Sequence, residues 1–143
     1  MQEYRNIYQI ARETSGLTQE RAAELFNISV ESLRAYETDR RIPPDTIVLK
    51  MIEVYGTQFL AYQHLKTKTK LGEEFLPEIQ AKDLATAVLS FLNECSDLEH
   101  TKNLMIKISA DNKIDESEKD DWNHVLEEIN GIISAGITLR FIK

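Results

Sequence analysis

Short apolar repeats at helical spacing, each ended by turn-forming residues, occupy the first 66 positions of the chain. Side chains three and four residues apart lie on one face of a helix, so each repeat predicts a short amphipathic helix. Glycine, asparagine and proline mark the breaks, because they tolerate left-handed backbone or lack the amide hydrogen. The predicted helices span residues 3–13, 19–26, 29–37, 45–55 and 57–67.

The second half of the chain carries two longer helical patterns. Apolar residues at steps of four and three predict a long helix from Asp83 to about Ala110. Asp115 and Glu118 have the spacing of a capping box, and the apolar residues that follow, up to Ile137, predict a second long helix. Because the link between them is short, the two helices must run antiparallel.

The segment from Lys66 to Gly72 is polar and basic and offers few core residues, so we place a boundary there. The sequence therefore predicts an all-α chain with three parts. These are a five-helix domain at residues 1–66, a linker region at 67–82 and a long-helix antiparallel hairpin at 83–143.

Composition excludes several classes of protein. Five glycines and three prolines are too few for a loop-rich, all-β or disordered chain. The single cysteine, Cys95, excludes an intramolecular disulfide and favours the cytoplasm, and no apolar stretch is long enough to cross a membrane. His64, His100 and His124 lack metal-ligand spacing, and neither a glycine-rich phosphate loop nor a nucleophile motif occurs. We therefore expect neither an enzyme nor a protein that needs a metal or cofactor.

The net charge of −7 is unevenly distributed. Residues 1–66 hold eight Lys/Arg against nine Asp/Glu, a balance of −1, whereas residues 67–143 hold nine against fifteen, a balance of −6. The nearly neutral first half can still bind nucleic acid if its arginines face one way.

A set of motifs falls in register from residue 11 to residue 44. They are Gly16-Leu17-Thr18-Gln19-Glu20, Ala23, the Ile28-Ser29 turn, Leu33, Tyr36, Glu37 and a basic pair before proline. With these residues the segment strongly resembles the lambda-repressor-like (Xre/Cro) helix-turn-helix family, as found in phage-type regulators. The resemblance implies a five-helix DNA-binding domain and a sequence-specific transcriptional regulator, with a repressor as our expectation. It also implies a homodimer that reads a palindromic operator in double-stranded DNA, for which the hairpin would serve dimerisation or regulation.

The third predicted helix is the candidate for reading bases, because the major groove of DNA admits one helix. Leu33 and Tyr36 lie three residues apart and are expected to face the core, which leaves Val30, Glu31 and Arg34 outside. Arg34 can bond guanine or clamp a phosphate, and Val30 can contact a thymine methyl group. Glu31 can accept from cytosine, reject unsuitable sites, or simply remain solvated.

Other residues are expected at the DNA backbone. The family uses the glutamine that corresponds to Gln19 to bond a phosphate at a helix N-terminus. Hydroxyl groups near the helix starts can donate similarly, and arginines of the loop after the third helix can contact phosphates or be merely solvated. The predicted backbone contacts are Thr18, Gln19, Ser29, Ser32, Arg40 and Arg41. By resemblance, Arg12 and Glu37 form a structural ion pair between the first and third helices.

Two alternatives have a basis in the sequence. In the segment 111–118, Ile114, Asp115 and Glu118 match later positions of an EF-hand calcium loop. Lys107 would take the first ligand position and Asn112 the glycine position, so a capped turn is the better interpretation. The same fold also serves as an antitoxin or protein-interaction module, in which the acidic second half binds a partner.

Overall fold

The computed structural model describes residues 4–142, which contain eight α-helices and no strand. The chain divides into two compact units, Met1–Leu76 and Pro77–Lys143. The first unit contains the six shorter helices and the second contains the two long ones. The helices are α1 (Ile7–Thr14), α2 (Gln19–Phe26), α3 (Val30–Glu37), α4 (Asp45–Tyr55), α5 (Phe59–Lys68), α6 (Lys70–Phe75), α7 (Leu84–Ser109) and α8 (Lys119–Phe141).

Local capping residues set the ends of the helices around the turn. The Thr18 hydroxyl accepts from the third amide beyond it and begins α2, and Ser29 begins α3 in the same way. Asn27 ends α2 in the left-handed conformation at φ 56°, and Gly56 ends α4 at φ 66°. The predicted bounds of α2 and α4 are confirmed.

The first helix is shorter than the prediction for residues 3–13. It begins at Ile7, because the side-chain oxygen of Asn6 accepts from the amides of Tyr8 and Gln9 at 3.1 Å each and so caps the helix one turn later. Tyr4 precedes the helix and is 75% exposed. Residue 3 lies outside the described residues.

One hydrophobic core holds α1 to α5 together. Its members come from all five helices and include side chains that are completely buried, such as Tyr8, Phe26 and Leu33. The ring of Phe26 meets that of Tyr55 edge-on, with centroids 5.4 Å apart. A three-dimensional core of this kind fixes the orientation of each short helix, including the two on either side of the turn.

A sixth helix lies within the segment predicted as a linker. The Thr69 side chain caps α6 by accepting from the amide of Gly72, and α5 extends to Lys68. A Cβ atom on Gly72 would lie only 1.7 Å from the carbonyl oxygen of Leu65, so glycine allows the two helices to approach this closely. The boundary between the two compact units falls after this helix, between residues 76 and 77.

The second unit is a hairpin of α7 and α8. Phe91, near the start of α7, lies 3.7 Å from where a Cβ of Gly136, near the end of α8, would be. At the other end, Ile108 and Trp122 line the same small pocket. These pairings show that the two helices run antiparallel, which confirms the predicted hairpin.

The capping box of the hairpin loop is confirmed. The Asp115 amide donates to Oε2 of Glu118, and the Glu118 amide donates to Oδ1 of Asp115, each at 3.1 Å.

The apolar residues whose spacing predicts α7 coincide only in part with its buried face. The buried residues are Ala87, Thr101 and Ile108. Of the residues in the predicted pattern, Leu84 and Val88 are exposed, and the remainder are half-buried, namely Phe91, Cys95, Leu98 and Met105. None of the described helices combines the length and the hydropathy that crossing a bilayer requires.

Candidate nucleic-acid interface

The inner side of α3 is anchored in the core. Leu33 is fully buried, and Tyr36 and Glu37 are 5% and 2% exposed. The side chain of Ser29 accepts from the Ser32 amide at 3.0 Å and closes the first turn of the helix. The position of α3 is therefore set by packing and capping, without help from its outer side chains.

The outer edge of α3 carries Glu31 and Arg34, whose side chains are 64% and 49% exposed. Val30 does not share this orientation fully, because it is half-buried and packs against the core. The physical reason is its spacing: it lies three residues before Leu33 and so belongs partly to the same face. The expectation that Val30 is turned outward is corrected to this extent.

Glu31 bridges two arginines on this edge. Its Oε2 accepts from a guanidinium nitrogen of Arg34 at 3.2 Å, and its Oε1 accepts from one of Arg40 at 3.0 Å. The hydrogen bond and the positive charge of Arg40, followed by the charge of Arg34, lower the pKa of Glu31. The carboxylate is consequently ionised at neutral pH and holds both arginines on the surface of the unit.

The second loop arginine, Arg41, is arranged differently. Its guanidinium lies 4.9 Å from the centre of the Tyr36 ring and also donates to the Tyr36 hydroxyl at 3.1 Å. Arg41 thus packs on a side chain of the core, whereas Arg40 extends over the outer edge of α3.

Beneath the outer edge, Arg12 and Glu37 form a shielded ion pair between α1 and α3. Two guanidinium nitrogens of Arg12 donate to the two carboxylate oxygens at 2.6 and 3.1 Å, and a third bond reaches the carbonyl of Leu17. The hydrogen bond to Glu37 raises the pKa of Arg12, although burial opposes the shift. Gln19 joins this pair, because its amide nitrogen donates to Glu37 at 2.7 Å.

The hydroxyl residues lie at the helix starts. Thr18 and Ser29 are exposed, and each accepts from a backbone amide of the helix that it caps. Ser32 is half-buried and its oxygen accepts from the Ser29 hydroxyl at 2.9 Å. These groups and the free amides around them lie at the positive ends of α2 and α3.

The structure adds a clamp at Asp39 that the sequence analysis missed. Asp39 has a left-handed backbone at φ 56°. Its carboxylate accepts from the hydroxyl of Tyr4, the side-chain amide of Asn6 and the ammonium group of Lys68. The clamp fixes the residue that immediately precedes Arg40. The one signal for this clamp in the sequence is an aspartate at a turn position. Its hydrogen-bond partners lie 29 to 35 residues away along the chain, so local spacing does not reveal them.

Within the described residues, one group of carboxylates is close enough to hold a cation. Oxygens of Glu94, Asp97 and Glu128, all on the hairpin, lie within 4.8 Å of one another. Asp97 is exposed and the other two are half-buried. Such a group is ordinary on an acidic helical surface and defines no metal site by itself.

Residues 9–60 match the model of the family described as Helix-turn-helix, a family of DNA-binding regulators of the Xre, lambda-repressor-like type. No curated protein and no solved structure matches the chain. The match begins in α1 and ends at the start of α5, so it includes the capped turn and the whole of α3. Residues 9–60 are therefore similar to the helix-turn-helix domains of DNA-binding regulators.

Proposed function

We propose that the chain is a cytoplasmic transcriptional regulator, a repressor, whose first unit binds double-stranded DNA sequence-specifically by inserting α3 into the major groove. The observation that carries this proposal is the outer edge of α3. Glu31 and Arg34 project there from a helix whose opposite side is fixed in the core. A rigid helix with exposed polar side chains on one edge suits the reading of base edges in a groove.

Arg34 is the principal base contact in this proposal. Its guanidinium can make a bidentate pair with guanine O6 and N7, which is worth about 1–3 kcal/mol of discrimination. Val30, being half-buried, offers only part of its side chain to a thymine methyl group. Glu31 can accept from the N4 amino group of cytosine.

The remaining candidates surround the helix starts and the loop, where phosphates would lie. Gln19 uses one amide hydrogen on Glu37 and retains a second for a phosphate oxygen. Arg40 is exposed and can change rotamer to reach a phosphate. Arg41 packs on the Tyr36 ring and would have to donate to a phosphate from that position. The proposed backbone contacts are Thr18, Gln19, Ser29, Ser32, Arg40 and Arg41.

We propose further that the hairpin makes the chain a homodimer that reads a palindromic operator. Two helices alone cannot cover their apolar side chains, and several of these on α7 and α8 are exposed. They are Leu84, Val88, Leu89, Leu92, Ile106, Leu126 and Ile133. A two-fold dimer would present two copies of α3 to half-sites one turn of DNA apart, about 34 Å.

The DNA proposal is tested by selecting the full chain against random-sequence duplexes at low salt. We expect an enriched palindromic motif, and we expect Arg34→Ala to lose about 1–3 kcal/mol of discrimination at one position of each half-site. Arg140→Ala removes the same charge from the second unit and is the matched control. If no motif is enriched with the unaltered chain, the operator-reading proposal fails, and the protein-interaction alternative takes its place.

The dimer proposal is tested by light scattering on the full chain. Val88 and Leu92 lie four residues apart on one face of α7 and are exposed, so Lys at both positions should leave the hairpin folded and yield a monomer. His100→Lys, at an exposed position around the same helix, controls for added charge. A wild-type chain that remains monomeric at high concentration would refute the proposal.

A further inference from the structure

The bridge from Glu31 to Arg34 and Arg40 occupies the residues that would meet DNA. Two exposed arginine side chains share the carboxylate of Glu31, and both of its oxygens are engaged. Two positive charges on the proposed binding edge are therefore partly neutralised by a negative charge on the same edge.

This bridge has no evident structural purpose. Exposed ion pairs contribute little to stability, because water screens them and ordering long side chains costs entropy. Packing through Leu33 and Tyr36, together with the Ser29 cap, already holds α3 in place. The position of the helix does not depend on Glu31, so the bridge acts on the two arginines rather than on the fold.

A DNA phosphate and the Glu31 carboxylate compete for the same donors. Each carries negative charge and oxygen acceptors that suit a guanidinium group. If either arginine moves to a phosphate or to guanine, Glu31 is left beside the polyanion with fewer partners, which is unfavourable. Among the groups on the DNA, a base amino group such as N4 of cytosine can replace the lost hydrogen bonds at that position.

We propose that Glu31 is a specificity determinant that lowers the affinity for non-specific DNA by competing for Arg34 and Arg40, and releases them where a cytosine amino group takes their place. This inference rests on the proposed DNA-binding function. The inference predicts that each half-site contains a cytosine within reach of Glu31, next to the guanine that Arg34 contacts. It also explains how a nearly neutral domain distinguishes its operator from other DNA. At every site that lacks the cytosine, binding is weakened by the unpaired carboxylate of Glu31.

The test compares wild-type protein with Glu31→Gln on a random duplex and on the duplex enriched by selection, each across a salt series. Gln keeps the length of the side chain but removes the negative charge and one of the two acceptor oxygens, so it holds the two arginines less strongly. We expect binding to the random duplex to tighten by about tenfold and its logarithmic salt slope to steepen by about one to two units, because one or two more phosphates are neutralised. Affinity for the enriched duplex should change less, so that the ratio of the two affinities falls.

Glu24→Gln is the matched control, because Glu24 is exposed in the same unit, pairs with Arg21 at 2.6 Å and lies off α3. Equal effects of Glu24→Gln and Glu31→Gln would reduce the result to net charge and overturn the inference while leaving DNA binding intact. If the wild-type chain binds neither duplex at low salt, the proposed function itself fails. Thermal unfolding of both variants should match that of the wild type, which shows that the changes in binding do not come from unfolding.

Discussion

The two units of this protein bury apolar side chains in very different ways. The first unit encloses large residues from five helices, among them Tyr8, Phe26 and Met51, with essentially no exposure. In the hairpin, the buried hydrophobic residues are Ala87, Ile108, Val125 and Ala135, two of which are alanines. Five short helices can surround a core, whereas two long ones can only share a seam. The comparison teaches that the first unit holds α3 in a closed core, whereas the hairpin leaves large apolar side chains exposed, which the proposed dimer would cover.

The largest expected effect on stability comes from removing a large buried side chain from the core of the first unit. Phe26→Ala should lower its free energy of unfolding by about 3–5 kcal/mol, through lost burial and the cavity left behind. The only tryptophan, Trp122, belongs to the hairpin, so its fluorescence reports on the second unit, and far-ultraviolet circular dichroism follows both units.

In denaturant titrations of Phe26→Ala, the part of the circular dichroism signal that belongs to the first unit should move to lower concentration. The Trp122 transition should stay, and in a dimer it should depend on protein concentration. Val125→Ala is the reciprocal control, because this fully buried side chain belongs to the hairpin. A Trp122 transition that shifts equally with Phe26→Ala would contradict the contrast between the two units.

A smaller difference in stability is expected between alanine substitutions at two glycines, one in each unit. In Gly72→Ala the new Cβ meets a backbone carbonyl that cannot move away, so we expect a loss of about 1–3 kcal/mol from the first unit. In Gly131→Ala it meets only the carboxylate end of Glu94, which can rotate. Because alanine favours helix by about 1 kcal/mol over glycine, Gly131→Ala should be neutral or stabilising. Thermal unfolding of both variants decides the matter, and an equal loss in both would show that the hairpin is as tightly constrained as the first unit.

The smallest expected effect is a difference in acid sensitivity. Although partial burial opposes it, hydrogen bonds from Lys68, Tyr4 and Asn6 hold the pKa of Asp39 below its usual value. A carboxyl group with a lowered folded-state pKa stabilises the fold above its unfolded pKa of about 3.9, and this contribution is lost as the pH falls through the folded value. Asp39→Asn should therefore flatten the decline in melting temperature of the first unit below about pH 4.

Asp83 offers the corresponding group in the hairpin, since hydrogen bonds from Thr86 lower its pKa. Asp83→Asn should flatten the acid response of the Trp122 signal and leave that of the first unit unchanged. The comparison would fail if Asp39→Asn altered the Trp122 response as strongly as Asp83→Asn does.

Much of the fold could be predicted from the sequence where the determinants are local. The bounds of α2 and α4 and the box formed by Asp115 and Glu118 follow from local residues, because their caps act on backbone groups within four residues. The start of α1 was misplaced, because the apolar Tyr4 extended the pattern and the cap at Asn6 was overlooked.

The candidate site could be predicted only in outline. Spacing placed Glu31 and Arg34 outside and Leu33 inside, but could not show that Val30 packs partly against the core. Nor could it show that Arg40 meets Glu31 across nine residues. Such contacts depend on the path of the loop and on side-chain rotamers, which no periodicity records.

The sequence by itself determined the helical class, the capped turn before α3 and the hairpin, because these follow from hydrogen bonds and apolar spacing within a few residues. The tertiary structure alone decided that α6 folds back on α5 at Gly72, that Asp39 is clamped, and that one carboxylate bridges two arginines. The physical reason is distance along the chain. These features require groups from separate segments of the chain to meet, and the packed core determines where those segments lie.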